Sequence, residues 1–116
     1  VTQKGAWDKE DFLDTTGGDR ELAVKILGTY IEQTNCLIEQ AEAKIKEQNF
    51  EELRKLGHSL CGSSSTVSAK KLSEYGKRLN VAAKESDISS CQFYLGEFKH
   101  EYNQFKRLVQ NYIEQE

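Results

Sequence analysis

Asn49-Phe50-Glu51-Glu52-Leu53-Arg54-Lys55-Leu56-Gly57-His58-Ser59-Leu60-Cys61-Gly62-Ser63-Ser64-Ser65 is the stretch that decides between a helical fold and one built of strands. Asn49, with Glu52 three residues on, makes a start of the capping-box kind. Phe50, Leu53, Leu56 and Leu60 then recur at spacings of three and four, the stripe of one helix face, with no apolar/polar alternation to suggest a strand. The same spacing extends outward on both sides. Upstream, Asp19 is placed to cap a long helix whose inward set is Leu22, Ile26, Tyr30, Leu37 or Ile38, Ala41 and Ile45, running to about Gln48. Gly17-Gly18-Asp19 separates it from a short first helix, in which Asp8 caps and Trp7 packs on Phe12 as a hydrophobic staple. Downstream, the serines from Ser63 to Ser68 weaken and end the third helix. Ser68 is predicted to cap a fourth, with Leu72, Tyr75, Leu79, Ala82 and Ala83 inward and its end near Ser86. Gly76, set opposite Gly62, would let two helices approach closely. Asp87 caps the last helix, whose inward residues are Ile88, Leu95, Phe98, Tyr102, Phe105, Val109 and Tyr112 or Ile113.

Four amphipathic helices joined by short turns bury their stripes on one another, and short turns favour antiparallel neighbours. The expected fold is all-α: an antiparallel up-down four-helix bundle with a short extra N-terminal helix, a single domain over residues 1–116. Composition agrees, with no proline, 37% hydrophobic residues, 30% charged residues and a net charge of −3. That balance points to neither nucleic acid nor a membrane, and no apolar run approaches the ~18 residues of a span. Cys36, Cys61 and Cys91 are odd in number and widely spaced, which indicates neither a disulfide framework nor a zinc site. A reducing, cytoplasmic setting and a monomer are expected. Because the chain starts at Val1 and contains no Met, it is also expected to be a domain excised from a longer protein.

His58 is the residue on which function turns. At 100° per residue it lies about 160° from Leu60 and about 140° from Leu53, away from the core stripe. Cys61, Gly62 and Ser65 share its side and are all small. Glycine inside a helix costs about 1 kcal/mol relative to alanine, and clearance beside an imidazole would account for Gly62. A lone solvent-facing histidine is ordinarily without a role; the surrounding residues change that.

Leu56-Gly57-His58-Ser59-Leu60-Cys61-Gly62-Ser63-Ser64 resembles the His-x-Leu-Lys-Gly-Ser signature of histidine-containing phosphotransfer (HPt) domains. The likeness continues through Val67-Ser68-Ala69, Lys71-Leu72 and Lys77-Arg78-Leu79-Asn80, and takes in the Gly17-Gly18-Asp19 turn. The resemblance implies a phosphorelay carrier of two-component signalling: His58 would accept a phosphoryl group from a receiver-domain aspartate and pass it to another. Its partners would be response-regulator receiver domains and a cognate sensor kinase, the domain being either a piece of that kinase's cytoplasmic part or a protein that stands alone. No cofactor or metal of its own is implied, the divalent metal belonging to the receiver. An imidazole with an ordinary pKa of about 6.5 offers an unprotonated nitrogen near neutral pH. Asn80 stands where the family often has Gln or Glu to orient the ring, and Ser65 completes the small-residue side.

Two departures from the family stand out. Its lysine three residues after the histidine, which neutralises the added phosphate, is replaced by Cys61; Lys55, Arg54 and Lys84 are the proposed substitutes, Lys84 at a position basic in some relatives. The other is Ser68, where relatives often have glycine. The segment from Arg54 to Lys84 holds seven basic residues and one acidic, which suits an acidic receiver pocket. Leu13 and Ile88 are candidate members of an apolar docking rim. Two rivals remain: an HPt-like docking module that binds a receiver or kinase without carrying phosphate, and an enzyme using Cys61 with His58. His100, about 160° from the Phe98 and Tyr102 stripe, is expected to be an ordinary solvent residue.

Overall fold

A computed structural model describes residues 5–115, so the expected domain limits of 1 and 116 lie just outside it. Among the described residues there are five helices and no strand: α1 Lys9–Thr15, α2 Arg20–Glu47, α3 Phe50–Thr66, α4 Lys70–Lys84 and α5 Ile88–Glu114. The polar residue ahead of four of them does what a cap requires, accepting from a backbone N–H three residues on. Asp8 takes Asp11 N, Asp19 takes Leu22 N, Asn49 takes Glu52 N and Asp87 takes Ser90 N, all at 3.0–3.2 Å. The capping box at Asn49 is only half formed, since Glu52 pairs with Lys55 and the Asn49 N–H goes to Lys44 O.

Ser68 does not cap α4. The N-cap is Ala69, without a side-chain bond, and Ser68 sits in the left-handed region at φ 61. The chain must reverse within the few residues between α3 and α4, and Ala69 N reaches back to Ser64 O to close the helix end. That backbone shape favours glycine and costs another residue about 1–2 kcal/mol. Compensation comes from the N-terminal segment: Ser68 Oγ donates to Asp11 Oδ2 at 2.6 Å and Ser68 O accepts from Asp8 N at 3.1 Å. Beside it, Trp7 Nε1 donates to Val67 O at 2.9 Å. Trp7 also packs on Phe12, as the staple predicts, and on Phe105 and Tyr112, with ring centroids 5.8–6.0 Å apart.

The helices run alternately up and down. Along α2 and α5, Arg20 bonds Ile113 O, Tyr102 Oη reaches Ile31 O and Asn35 Oδ1, and Glu42 meets Lys99, an antiparallel order. The buried stripe of α2 is Ala23, Leu27, Tyr30, Thr34, Ile38 and Ala41. The N-terminal half of the predicted stripe was therefore out of phase: Leu22 is 43% exposed and Ile26 half-buried. Small Ala23 and polar Thr34 occupy the interior instead, where a search for large apolar residues does not find them. Phe50, Tyr75, Ile88 and Ile45 are only half-buried, whereas Gly57, Ser64, Cys91 and Glu101 are buried without having been expected; Gly76 is buried, as its packing role requires. Ser64 is accommodated by a 2.7 Å hydrogen bond with Tyr30 Oη.

The closest helix contact lies between α3 and α4 and depends on Gly57 and Gly76. A Cβ on Gly57 would stand 2.6 Å from Asn80 N, and one on Gly76 would stand 2.6 Å from Cys61 N. Gly76 thus packs against Gly57 and Cys61; the predicted facing residue, Gly62, has open space around it.

Candidate functional site

His58 lies midway along α3 and is exposed, and it makes no hydrogen bond or ion pair among the described residues. Its side of α3 is kept low. Gly62, one turn on, has nothing within 4 Å of where a Cβ would be, so no packing demand explains this glycine, and Ser65, two turns on, is exposed. Lys55, one turn before, is exposed and paired with Glu52 at 3.3 Å.

Cys61 belongs to the seam between α3 and α4 more than to the outward face. Ser73 Oγ donates to Cys61 O at 2.9 Å, which leaves the Cys61 thiol to donate to Ser73 Oγ at 3.4 Å. The thiol therefore turns toward α4, and the Cys61 and His58 pairing that an enzyme would need is not formed.

Asn80 is also in the seam. Its Nδ2 donates to Arg54 O at 2.7 Å, so the amide expected to orient the imidazole ties α4 to the α3 backbone. An asparagine is one methylene shorter than glutamine and ends at that carbonyl.

Lys84 closes α4, exposed and without an ion pair among the described residues. Arg54 is half-buried with its guanidinium likewise unpaired. Of the remaining bases on these two helices, Lys70 lies 3.9 Å from Asp8, and Arg78 pairs with Glu74 at 3.0 Å and rests over the Tyr94 ring. Lys77 is exposed and unpaired; it carried no assigned role in the sequence, though the repeat Lys70, Lys77, Lys84 was visible there.

The apolar rim differs from expectation. Leu13 and Ile88 are half-buried against the core, and the exposed large apolar residues are Leu22, Val81, Phe93 and Leu108. Val81 is one turn beyond Lys77 and one turn short of Lys84, on their side of α4. A groove of about 410 Å³ lined by Leu22, Ile26, Thr29 and Val67 runs between α2 and α3, on the far flank of α3 from His58. His100 is exposed, with its Nε2 3.4 Å from Gln104 Nε2. No group of three or more His, Cys, Asp or Glu that could hold a metal occurs among the described residues, and no helix is long and apolar enough to cross a membrane.

An antiparallel helical bundle with an exposed histidine halfway along one helix, glycine beside it and basic residues on the adjoining helix is an arrangement compatible with a histidine phosphotransfer domain. The family model of the Hpt domain matches residues 25–112, and the chain belongs to that family. It is a domain of the kind that works in two-component phosphorelays through histidine phosphotransfer. Neither the curated proteins nor the solved structures gave a match.

Proposed function

We propose that His58 is the phosphoryl acceptor of a relay, taking the group from the aspartyl phosphate of one receiver domain and delivering it to the aspartate of another. The observation that carries this reading is the exposed, unpartnered imidazole at mid-α3 beside a glycine that packing does not require. In the first half-reaction a ring nitrogen lone pair attacks phosphorus. The N–P bond forms as the P–O bond to the receiver carboxylate breaks, and the carboxylate leaves with the electron pair. The ring proton stays on the other nitrogen, and the second half-reaction is the reverse with a new carboxylate. Since the receiver contributes the aspartate and the divalent metal, this domain is a carrier that needs little machinery of its own. A sensor kinase joined to it or acting with it would be the upstream source.

The test is labelling by a phosphorylated receiver. The chain is expected to acquire acid-labile, alkali-stable phosphate, and His58→Gln to abolish it; label that survives the substitution refutes the assignment. Cys61, at the position of the family's lysine, favours a second reading as a docking module without phosphate. Binding to a receiver with no label in the unmodified chain would establish that alternative.

A further inference from the structure

We propose that Lys77, on α4, supplies the positive charge for a phosphoryl group on His58 that Cys61 does not supply from α3. The inference rests on His58 being the acceptor.

It follows from the register of the α3–α4 seam. Ser73 bonds Cys61, Gly76 abuts Cys61 and Gly57, and Asn80 abuts Gly57 and bonds Arg54. Each step forward on α3 is thus matched by a step back on α4. That matching sets His58 level with Lys77, Ser65 level with Lys70, and Glu51 level with Lys84.

The angular positions agree. On α3 the core residues Leu56 and Leu60 lie on one side of the seam, and on α4 so do Leu72 and Leu79. At 100° per residue, His58 falls about 100° from Gly57 in the opposite sense, and Lys77 the same angle from Gly76. Both side chains therefore stand on the outer flank of the same pair of helices. Because Gly57 and Gly76 bring the helices together at this level, the flanks are at the near end of the usual interaxial range of about 8–10 Å.

The other bases are less well placed or already committed. Lys55 is held by Glu52, Lys70 by Asp8 and Arg78 by Glu74, while Lys71 lies on the side of α4 turned from α3. Lys84 shares the outer flank but is level with the carboxylate of Glu51, two turns from His58. Arg54 is half-buried over the seam. Lys77 is exposed, unpaired and on a four-carbon stem that gives its ammonium reach across the flank.

Phosphoramidate, a small phosphoryl donor, loads the histidine without a receiver and so isolates the domain's own contribution. The readout is the half-life of the phosphohistidine after the donor is removed. Lys77→Gln is expected to shorten it by about twofold to fivefold, the range of an exposed charge pair. Lys77→Arg is expected to keep it, and Cys61→Lys added to Lys77→Gln to restore it, which a purely structural role of Lys77 would not allow. Lys71→Gln makes the same change in net charge on the wrong side and is expected to leave the half-life unchanged. A half-life indifferent to Lys77→Gln, or equally shortened by Lys71→Gln, overturns the assignment of Lys77 alone. Because exposed His100 can also react, it is replaced by Gln throughout; absence of label in the His100→Gln chain, or label retained when His58→Gln is added to it, overturns the acceptor reading and this one with it.

Discussion

Three glycine-to-alanine substitutions in two adjoining helices are expected to differ in sign. At Gly57 and Gly76 the added Cβ meets backbone nitrogen at 2.6 Å, where ordinary contact begins near 3.4 Å. Backbone cannot rotate aside, so α3 and α4 must separate by about 0.8 Å, the gap between those two distances. Opened by that amount, the Ser73 to Cys61 O bond at 2.9 Å and the Asn80 to Arg54 O bond at 2.7 Å both reach hydrogen-bond limits or beyond. Each is worth about 1 kcal/mol. A gap of 0.5–1 Å also forfeits roughly a quarter to a half of the dispersion energy along the seam. Against this stands about 1 kcal/mol gained from replacing glycine in a helix interior. The net expectation for Gly57→Ala or Gly76→Ala is a loss of about 2–3 kcal/mol, or a Tm lower by about 8–12 °C for a chain of this length. Gly62→Ala meets nothing within 4 Å and keeps only the propensity term, so it should gain about 1 kcal/mol. Thermal and urea unfolding followed by circular dichroism at 222 nm measure all three. Stability of Gly57→Ala and Gly76→Ala equal to that of Gly62→Ala would refute the seam as described.

Alkaline pH and thiol chemistry give two further tests. Burial pushes the Tyr102 phenol above its ordinary value near 10, with the proximity of Tyr30 adding to it, and burial raises Tyr30 as well despite its bond to Ser64. A folded pKa above the unfolded one stabilises the native state fully below about pH 10 and loses that contribution as pH rises further. Tyrosinate absorbance at 295 nm should therefore show these two phenols ionising only together with unfolding, and independent titration near pH 10 would contradict their burial. Among the cysteines, exposed Cys36 should be alkylated first, and Cys91, buried and with its thiol pushed up chiefly by burial, only on unfolding. Rapid, His58-dependent alkylation of Cys61 at neutral pH would revive the thiol enzyme, contrary to the bond Cys61 makes to Ser73.

Features of this chain that depend on near neighbours were readable from residue order. Asp8, Asp19, Asn49 and Asp87 act over three residues, and the leucines of α3 state their own period. Contacts between helices left a fainter trace. Ala23 and Thr34 look like outward residues until Leu27, Tyr30 and Ile38 fix the phase of α2 around them. Gly57 and Gly62 are alike in sequence, and only the course of α4 decides which of them is pressed. The same holds around His58: its exposure was legible from the phase of α3, but Asn80 reached Arg54 O instead of facing the ring. That Lys77 stands level with His58 followed only once the register between the helices was known. Ser68 was noticed for replacing a glycine, and the left-handed turn explains why glycine would suit; the tie to Asp11 that compensates lies 57 residues away.

Gly62 also constrains how a partner arrives. His58 stands on a convex flank, and a helix with its side chains is a cylinder about 10–12 Å across. On the reading of His58 as acceptor, whatever exchanges a group with it must provide the concavity and straddle that cylinder from the side. A glycine one turn from the imidazole shaves the ridge on one side, so a cleft can seat deeper there than toward Lys55. The histidine is thus presented with a built-in tilt of approach, and a reactive group at the bottom of a slot narrower than about 10 Å is excluded however reactive it is.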